Sequence, residues 1–462
     1  MKKASSLLVI LRSGVLAGSG QPEPAAGESE RVETGRGSGE RVRYANRPDA
    51  LVPFSEVAIY KDHFERAPEF LGTGRREPEP DVETVKIGFI GPLLEEDDPI
   101  LPAGLRPFLT PGPTTVFGRN LLRGATLALE EVNREGGYQG KEFEMVRRTD
   151  LVQWGQTSDE MVRFAYEDRV WAVLSGLDSN HNHVLARVTL KTRVPIVNAG
   201  STDPSLTEHA IPWLMRCIND DRLNTYELMS YIYRVKKHTR VALLRVNDRD
   251  GRLGVAEFVK GARRLGHPIL MELRFQNGDA DFRAQLERIL ELKADVVVLW
   301  ANPSEAALIV KQMRRLGMRQ EVVGFDRMAH PLFLEAAGED AEGMVVASTF
   351  NPERHDPLWQ GFRSRYLSRF GEQPDAYAAH GYDGMKIIVS AIRSAGLNRT
   401  RIRDALFSTR SFAGVTGGIV FDNTLNNVRR PWLAVVEDGK FRYFRPPDWE
   451  RNRRFETVLP GP

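Results

Sequence analysis

Cysteine is nearly absent from the 462-residue sequence, which contains only Cys217. A single thiol cannot form an intrachain disulfide, and it excludes a metal cluster built from several cysteines. The sequence also has almost no excess of basic residues, because it contains 64 Lys and Arg residues and 62 Asp and Glu residues. This balance gives no electrostatic support to a nucleic-acid partner. No segment reaches the roughly 18 consecutive apolar residues that a membrane-spanning helix needs, so no membrane span is predicted.

Motifs of catalysis are missing as well. The sequence contains no G-x-S-x-G nucleophile turn, no H-E-x-x-H pair and no Walker loop. His181 and His183 could face one way only in a strand, yet they fall at the start of a loop or helix. No third ligand lies nearby in the sequence, which argues against a metal site. The sequence therefore predicts a protein that is not an enzyme and that needs no cofactor or metal.

After Thr84 the sequence alternates regularly between apolar runs and helical patterns. The runs are continuous, which is typical of parallel strands covered on both faces. They are VKIGFI, FEMVRR, VWAVLS, VPIVNA, RVALLRV, PILMELRF, DVVVLW, EVVGF and GMVVAS. Helical patterns lie between nearly all of them. The pattern after Asn302, for example, has a proline at its first position. This alternation predicts doubly wound α/β sheets.

The stretch from Val85 to Gly140 is the most specific part of the sequence. It reads as a strand that ends at Gly91-Pro92, a long loop, and a helix that opens near Gly118. The apolar stripe of that helix has a period of 3.6 residues and contains Leu122, Ala125, Leu129 and Val132. Glycines at 136 and 137 supply its left-handed stop. These elements form the first half of a βαβ unit.

This stretch resembles the opening of the leucine/isoleucine/valine-binding family of type I periplasmic binding proteins. The patterns IG...GP, G...GA..A...IN and GG..G follow there in the same order, and the resemblance continues to about residue 445. It implies an α/β fold of two doubly wound lobes joined by a three-stranded hinge. It also implies a protein that binds a solute.

Length and resemblance together predict the domain organisation. A chain of this length exceeds one ordinary core. Residues 1–83 are interpreted as an export signal or disordered tail followed by an irregular arm from residue 44. The first lobe is predicted at 84–218 plus 350–415 and the second at 222–349 plus 416–445, with 446–462 as a C-terminal tail. The polar segment Arg216–Asp221, after a strand-like run, is predicted to be the first crossing between the lobes. Asp438-Gly439, between two apolar runs, predicts a type I′ hairpin.

Two loops that follow predicted strands carry the clearest binding signal. The first contains Ser179, and the second contains Gly200, Ser201 and Thr202. In open α/β sheets ligands bind beyond the carboxyl ends of the strands, where helix N-termini favour an anion. We expect Ser179 Oγ, Thr202 Oγ and the amides of Ser201 and Thr202 to hold a carboxylate. The alternative is that residues 201–204 only cap a helix.

The resemblance assigns further roles to residues of both lobes. By position, Gly200 and Thr202 hold the α-carboxylate of an amino acid in the family, and Ser179 matches a serine of the first loop. Phe117 is expected either to form an apolar wall of the pocket or to be an ordinary core residue. The remaining predicted contacts lie in the second lobe.

Three positions in the second lobe complete the predicted site. Leu253 stands where the family commonly has a tyrosine that faces the ligand, so a ring contact is missing there. Trp300 could supply an aromatic contact instead. Asp326 is expected either to receive the ligand's ammonium through charge-assisted hydrogen bonds or to cap a helix. The loop of residues 95–115 is longer than is usual in the family, which leaves the ligand class open.

The predicted function is that of a periplasmic, monomeric binding protein. It would capture a small polar ligand, an amino acid of the branched-chain type or a related amide or carboxylate, between two closing lobes. Delivery to an ABC permease is implied by the resemblance alone. Lys2-Lys3 followed by ASSLLVIL predicts a signal for export. One alternative is a sensory module of the same fold that reports its ligand to a receptor or kinase. The other is an enzyme on an α/β scaffold, against which the missing nucleophile motif weighs.

Overall fold

A computed structural model describes residues 68–94, 112–151 and 154–446 of the protein. The strands of this part of the chain are β1 (Val85–Gly91), β2 (Phe143–Thr149), β3 (Val173–Ser175), β4 (Ile196–Asn198), β5 (Leu214–Asn219), β6 (Val241–Val246), β7 (Met271–Phe275), β8 (Val296–Trp300), β9 (Glu321–Gly324), β10 (Val345–Ser348), β11 (Ser411–Gly414), β12 (Gly417–Val420), β13 (Asn426–Asn427), β14 (Trp432–Glu437) and β15 (Lys440–Phe444).

The α-helices lie between these strands, as the alternating pattern predicts. They are α1 (Pro113–Arg134), α2 (Trp154–Tyr166), α3 (Ser179–Thr192), α4 (Ser205–Glu208), α5 (Asp221–Met229), α6 (Arg249–Arg264), α7 (Arg283–Glu291), α8 (Pro303–Arg315), α9 (Pro331–Ala337), α10 (Pro357–Phe370), α11 (Ala376–Ala395) and α12 (Arg399–Ser408). A π-helical turn extends α5 over Ser230–Val235, and short 3₁₀ turns cover Asp326–Met328 and Gly338–Ala341.

Two sheets form the centres of two lobes. The first sheet has the order β13-β5-β4-β3-β1-β2, and the second has the order β15-β14-β10-β9-β8-β6-β7. The strands of the first sheet pair in parallel, whereas β14 and β15 join the second sheet antiparallel. In both sheets the first strand in the chain lies between the next two, which is the switch point of a doubly wound fold. The predicted α/β class with two doubly wound lobes is confirmed.

Both faces of each sheet are buried, which explains the continuous apolar runs. Along β1, Ile87 and Phe89 point into one core of the first lobe, while Ile90 points into the core on the opposite face. Along β6, Leu243 and Leu244 divide between the two cores of the second lobe in the same way. Side chains of successive strand residues alternate between faces. A strand covered by helices on both sides therefore has apolar residues at most positions.

The chain passes between the two lobes three times. It leaves the first sheet after β5, returns between β10 and α10, and leaves again between β13 and β14. The three-stranded connection predicted from the resemblance is confirmed. Ile419, Phe421 and Leu425 pack in the core of the first lobe. These contacts favour a first lobe that ends near residue 427, whereas the sequence-based boundary lies at 415. The lobe boundaries themselves stay predictions.

Two local predictions were wrong in detail. Helix α1 begins at Pro113, well before Gly118, because proline suits the first helical position and the Thr115 hydroxyl bonds the Gly112 amide at 3.0 Å. Arg216–Asn219 belong to β5, so the chain leaves the first sheet at Asp220, within the predicted segment but near its end. The strand accommodates Arg216 because its Nε donates to Asn426 Oδ1 at 2.8 Å. The hairpin prediction is confirmed, with positive φ angles at Asp438 (52°) and Gly439 (69°).

The arm and the tails are described only in part. From residue 68 to the start of β1 the chain has no regular helix or strand and packs on the first lobe, where Glu79 accepts from Tyr138 at 2.8 Å. The predicted export signal and most of the 95–115 loop lie outside the described residues, as do residues 44–67 and 447–462. No helix in the described ranges has the length and apolar character needed to cross a membrane.

Candidate functional site

The loops after β1, β3 and β4 meet at the carboxyl edge of the first sheet. A Cβ atom at Gly200 would lie 2.8 Å from the carbonyl carbon of Gly176, so only glycine permits this approach. Asn198 joins the loops through its amide, which donates to Gly176 O at 2.9 Å and to Asn182 Oδ1 at 3.0 Å. Its Oδ1 accepts from the Ser201 amide at 3.0 Å. These contacts fix the positions of the hydroxyl groups that follow.

Ser179 and Ser201 are brought together as predicted by their positions after neighbouring strands. Their Oγ atoms lie 3.0 Å apart, and both residues are buried. Ser179 is the first residue of α3, whose N-cap is Asp178 with its carboxylate bonded to the His181 amide at 2.9 Å. The two hydroxyls therefore stand at a helix N-terminus, where a negative partner is favoured.

The second lobe supplies that negative partner. Asp250, in the first turn of α6, accepts a short hydrogen bond from Ser179 Oγ. Its other oxygen pairs with Arg327 Nη2 at 2.6 Å. Arg327 also donates to Asn302 Oδ1 at 3.1 Å. Because Ser179 and Asp250 belong to different lobes, this contact closes the cleft between them.

Two further carboxylates face the same cleft. Asp221, 1% exposed, lies beside Thr202 of the first lobe, because its amide donates to the Thr202 carbonyl at 2.8 Å. Its Oδ1 and the Oδ1 of Asp326 are buried without any hydrogen-bond partner among the described residues. A buried acceptor left unpaired costs free energy. The arrangement therefore favours a ligand that brings hydrogen-bond donors to this place.

The pKa values of these acids show how closely they are grouped. Burial raises the pKa of Asp221 well above its usual range, and the charges of Asp326 and Asp250 add to the effect. Burial also raises the pKa of Asp326 to about 6, against the opposing charge of Arg327. Asp250 and Asp326 thus share one buried arginine, whereas the charges that act on Asp221 are those of other acids. A cation entering the cleft would relieve their mutual repulsion.

A cavity opens next to this group of charges. It has a volume of about 190 Å³ and is lined by residues of both lobes. The lining consists of Pro92, Thr114, Asp150, Leu151, Leu177, Asp178, His181, Asp250 and Arg327. Charged side chains form a large part of this lining, because it contains Asp150, Asp178, Asp250 and Arg327. The cavity therefore suits a small polar molecule rather than an apolar one.

Phe117 is fully buried and forms part of an aromatic group in the core of the first lobe. It stacks on Tyr377 with ring centroids 4.5 Å apart and meets the edge of His330 at 4.9 Å. Burial raises the pKa of the Tyr377 phenol, and the charge of Asp326 raises it further, so this ring stands near the acids. Phe117 thus supports the site from behind Tyr377.

The other two predicted contacts lie elsewhere. Trp300 is fully buried in the core of the second lobe, stacks on Phe325 at 4.8 Å and covers Gly254. It is not among the residues that line the cavity. Leu253 is partly exposed on α6, and it does not line the cavity either. The cavity lining also lacks Ser179, Gly200, Ser201, Thr202, Asp326 and Phe117. The first four of these residues are grouped by the loop contacts described above, and the charge of Asp326 acts on Asp221, which bonds the Thr202 backbone.

A second group of polar side chains joins the lobes outside the cavity. Asp203 Oδ2 accepts from Arg249 Nε at 3.1 Å and lies 3.0 Å from His183 Nε2, while Ser205 Oγ is 3.2 Å from Arg249 Nη2. Burial alone would raise the pKa of Asp203, but the bonds to His183 and Ser205 and the charge of Arg249 lower it. No group of three or more His, Cys, Asp or Glu side chains in the described residues could hold a metal ion.

A family model described as "Periplasmic binding protein" matches residues 104–440. The chain belongs to the periplasmic binding protein family. A "Leu/Ile/Val-binding protein homolog 2" from Brucella abortus is 26% identical over 343 residues, which cover 72% of this chain and 91% of that protein. The family resemblance of the Val85–Gly140 stretch is therefore confirmed.

Solved structures of periplasmic binding proteins share the two-lobe fold. The leucine-binding protein LivK of Thermotoga maritima has a TM-score of 0.69 and 24% identity, with 79% of this chain and 99% of that chain covered. LivJ of Streptococcus pneumoniae in complex with isoleucine has a TM-score of 0.68 and 25% identity, with 79% and 100% covered. A benzoate-bound solute-binding protein of R. palustris has a TM-score of 0.67 and only 15% identity, with 78% and 96% covered. At this identity it shows the fold alone.

Four residues of this periplasmic binding protein escaped sequence reasoning: Asp221, Asp250, Arg327 and Tyr377. Asp221 ends the segment predicted as the first crossing between the lobes, Arg327 follows Asp326 directly, and Asp250 lies in the first turn of α6, the helix that also contains Leu253. An acid next to a predicted helix start is a signal, but it is also the ordinary signal of a cap. Asp221, Asp250 and Arg327 belong to the second lobe, and the closure of the lobes brings Tyr377 of the first lobe near them.

Proposed function

We propose that the protein captures a small polar solute of the amino-acid class between its two lobes and delivers it to an ABC permease. The solute is an amino acid of the branched-chain type or a related amide or carboxylate. The observation that carries the proposal is the cleft itself, which presents hydroxyls from one lobe opposite acids from the other. Asp221 and Asp326 each have a buried oxygen without a hydrogen-bond partner, so the site favours a ligand that carries hydrogen-bond donors.

The setting of this capture follows from the family. Members act outside the cytoplasm, so we propose a periplasmic location and a monomer that presents its closed form to the permease. A ligand that touches both lobes favours the closed form by its extra affinity for that form. Leucine- and isoleucine-related names among the similar proteins support the ligand class.

A thermal-shift screen of the purified protein against amino acids, amides, carboxylates and urea tests the proposal. A ligand present at 100 times its Kd should stabilise the protein by about 2.7 kcal/mol, which raises Tm measurably. Thr202→Ala should abolish the shift. Thr126→Ala is the control, because the Thr126 hydroxyl donates only to the Leu122 carbonyl of its own helix at 2.9 Å. This variant should keep the shift. No shift with any compound of the panel would contradict the proposed ligand class.

A further inference from the structure

The serine predicted to hold a ligand carboxylate already holds one from the protein. Ser179 Oγ is bonded to Asp250 of the opposite lobe and lies 3.0 Å from Ser201 Oγ. A hydroxyl has a single proton to donate. When that proton points to Asp250, Ser179 has no proton left for a ligand carboxylate.

Asp250 is held firmly in this place. Its second oxygen is paired with Arg327 Nη2 at 2.6 Å, and Arg327 in turn is fixed by Asn302 and lies over the ring of Phe325. Arg327 is only 8% exposed, so its charge is directed inward to the cleft. A ligand carboxylate would have to displace an ion pair that is already formed.

Two acids of the cleft favour a ligand with hydrogen-bond donors. Asp221 and Asp326 each keep a buried oxygen without a partner. An ammonium group offers three N–H donors and an amide NH₂ offers two, whereas a carboxylate offers none. A ligand carboxylate would also meet the like charge of Asp250, which selects against such a ligand.

We infer that Asp250 is a specificity-determining residue whose carboxylate takes the place of a ligand carboxylate on Ser179, so that the cleft selects amines and amino amides over free amino acids. The inference rests on the proposed function, because it assumes a ligand of the amino-acid class in this cleft. It narrows that class to molecules with a free amine and a carboxyl group that is absent or amidated.

Three probes that share one side chain separate these possibilities. They are L-leucine, L-leucinamide and 3-methylbutylamine, titrated calorimetrically into the full chain at pH 7. The two probes without a carboxylate should bind at least about tenfold more tightly than leucine, because like charges are juxtaposed only in the leucine complex.

Variants of two neighbouring acids test whether the charge of Asp250 causes the preference for ligands without a carboxylate. Asp250→Asn keeps the size of the side chain and removes its charge, so the preference for leucinamide over leucine should fall by about tenfold. Asp248→Asn is the matched control. Asp248 caps α6 through the Gly251 amide at 2.8 Å, and asparagine caps a helix equally well. This control should leave the preference unchanged.

The outcomes distinguish this inference from the proposed function. If wild-type protein binds leucine as tightly as leucinamide, or if Asp250→Asn does not change the preference, the role of Asp250 is overturned while the solute-binding function stands. If none of the three probes binds to folded wild-type protein, the proposed ligand class is wrong, and the inference falls with it.

Discussion

The charge of the cleft depends on pH through the carboxyl group of Asp326. Burial raises the pKa of its carboxyl to about 6, although Arg327 opposes the shift. An acid whose pKa is raised in the folded state stabilises the fold below its unfolded pKa of about 3.9. That contribution is lost as the pH rises through about 6. The ligand-free protein therefore carries a destabilising charge at neutral pH, which a bound cation would offset.

We predict that affinity for an amine-bearing ligand falls as the pH drops below 6. The ammonium needs the ionised carboxylate, so the apparent Kd should rise by about tenfold for each pH unit below the Asp326 pKa. Calorimetric titrations between pH 5 and 7.5 measure this dependence. Asp326→Asn should bind more weakly at pH 7 and lose most of the pH dependence.

A Kd that stays constant from pH 5 to 7.5 in wild-type protein would contradict this role of Asp326. Thermal unfolding without ligand provides an independent reading. Above pH 6 the Asp326→Asn variant should have the higher Tm, because it lacks the buried charge. Near pH 4 the carboxyl is protonated in the fold, and the difference between the two proteins should shrink.

At the scale of elements, helices α1 and α11 form the closest helix pair of the first lobe. Gly124 of α1 faces the Ala378 carbonyl of α11, and Gly381 of α11 faces the Leu121 carbonyl of α1. A Cβ atom at either glycine would clash with backbone of the other helix. Small residues at these two points let the helix backbones approach, and this packing places Tyr377 and Phe117 beside each other.

Gly124→Ala is predicted to destabilise the protein by roughly 1–3 kcal/mol, because the added methyl group overpacks a rigid backbone contact. Urea unfolding measures the loss. Gly155→Ala, on helix α2, is the control, since nothing lies within 4 Å of its added Cβ. There alanine should be neutral or stabilise by up to about 1 kcal/mol. If both variants were equally stable, helices α1 and α11 would not approach each other this closely, and the prediction would be wrong.

Elements could be predicted from the sequence more fully than the site. Continuous apolar runs marked the strands, because burial on both faces leaves no polar positions. The start of α1 was missed because glycine at 118 looked like a helix start, whereas it allows contact with Pro92, whose Cγ would lie 2.7 Å from a Cβ there. Asp250 and Arg327 could not be predicted, because their meeting with Ser179 depends on lobe closure and leaves no periodic signal.

At the scale of the whole molecule, the structure is a closed form held by polar contacts between the lobes. Arg249 of the second lobe pairs with Asp203 of the first at 3.1 Å on one side. His330 of the second lobe lies 3.0 Å from Asp375, the N-cap of α11 in the first, on another. Contacts of this kind bias the equilibrium between open and closed lobes, since only the closed form makes them.

Arg249→Ala is predicted to shift this equilibrium toward the open form. Small-angle X-ray scattering of ligand-free protein should show a larger radius of gyration than wild type. Ligand affinity should fall by roughly fivefold, because a smaller fraction of molecules is closed. Arg252→Ala, at an exposed position one turn nearer the middle of α6, is the matched control and should behave as wild type. Unchanged affinity in Arg249→Ala would contradict the role of this ion pair.

In the proposed mechanism one small ligand is held by both lobes at once. The most direct measurement that tests this is the Kd of the strongest ligand from the screen for Thr202→Ala in the first lobe and Asp326→Asn in the second. Each variant should lose at least about tenfold in affinity, because Thr202→Ala removes a hydroxyl of the first lobe that faces the ligand and Asp326→Asn removes the charged partner of its ammonium. If either variant binds as tightly as wild type, the ligand does not bridge the lobes at this site, and the proposed capture between the two lobes is wrong.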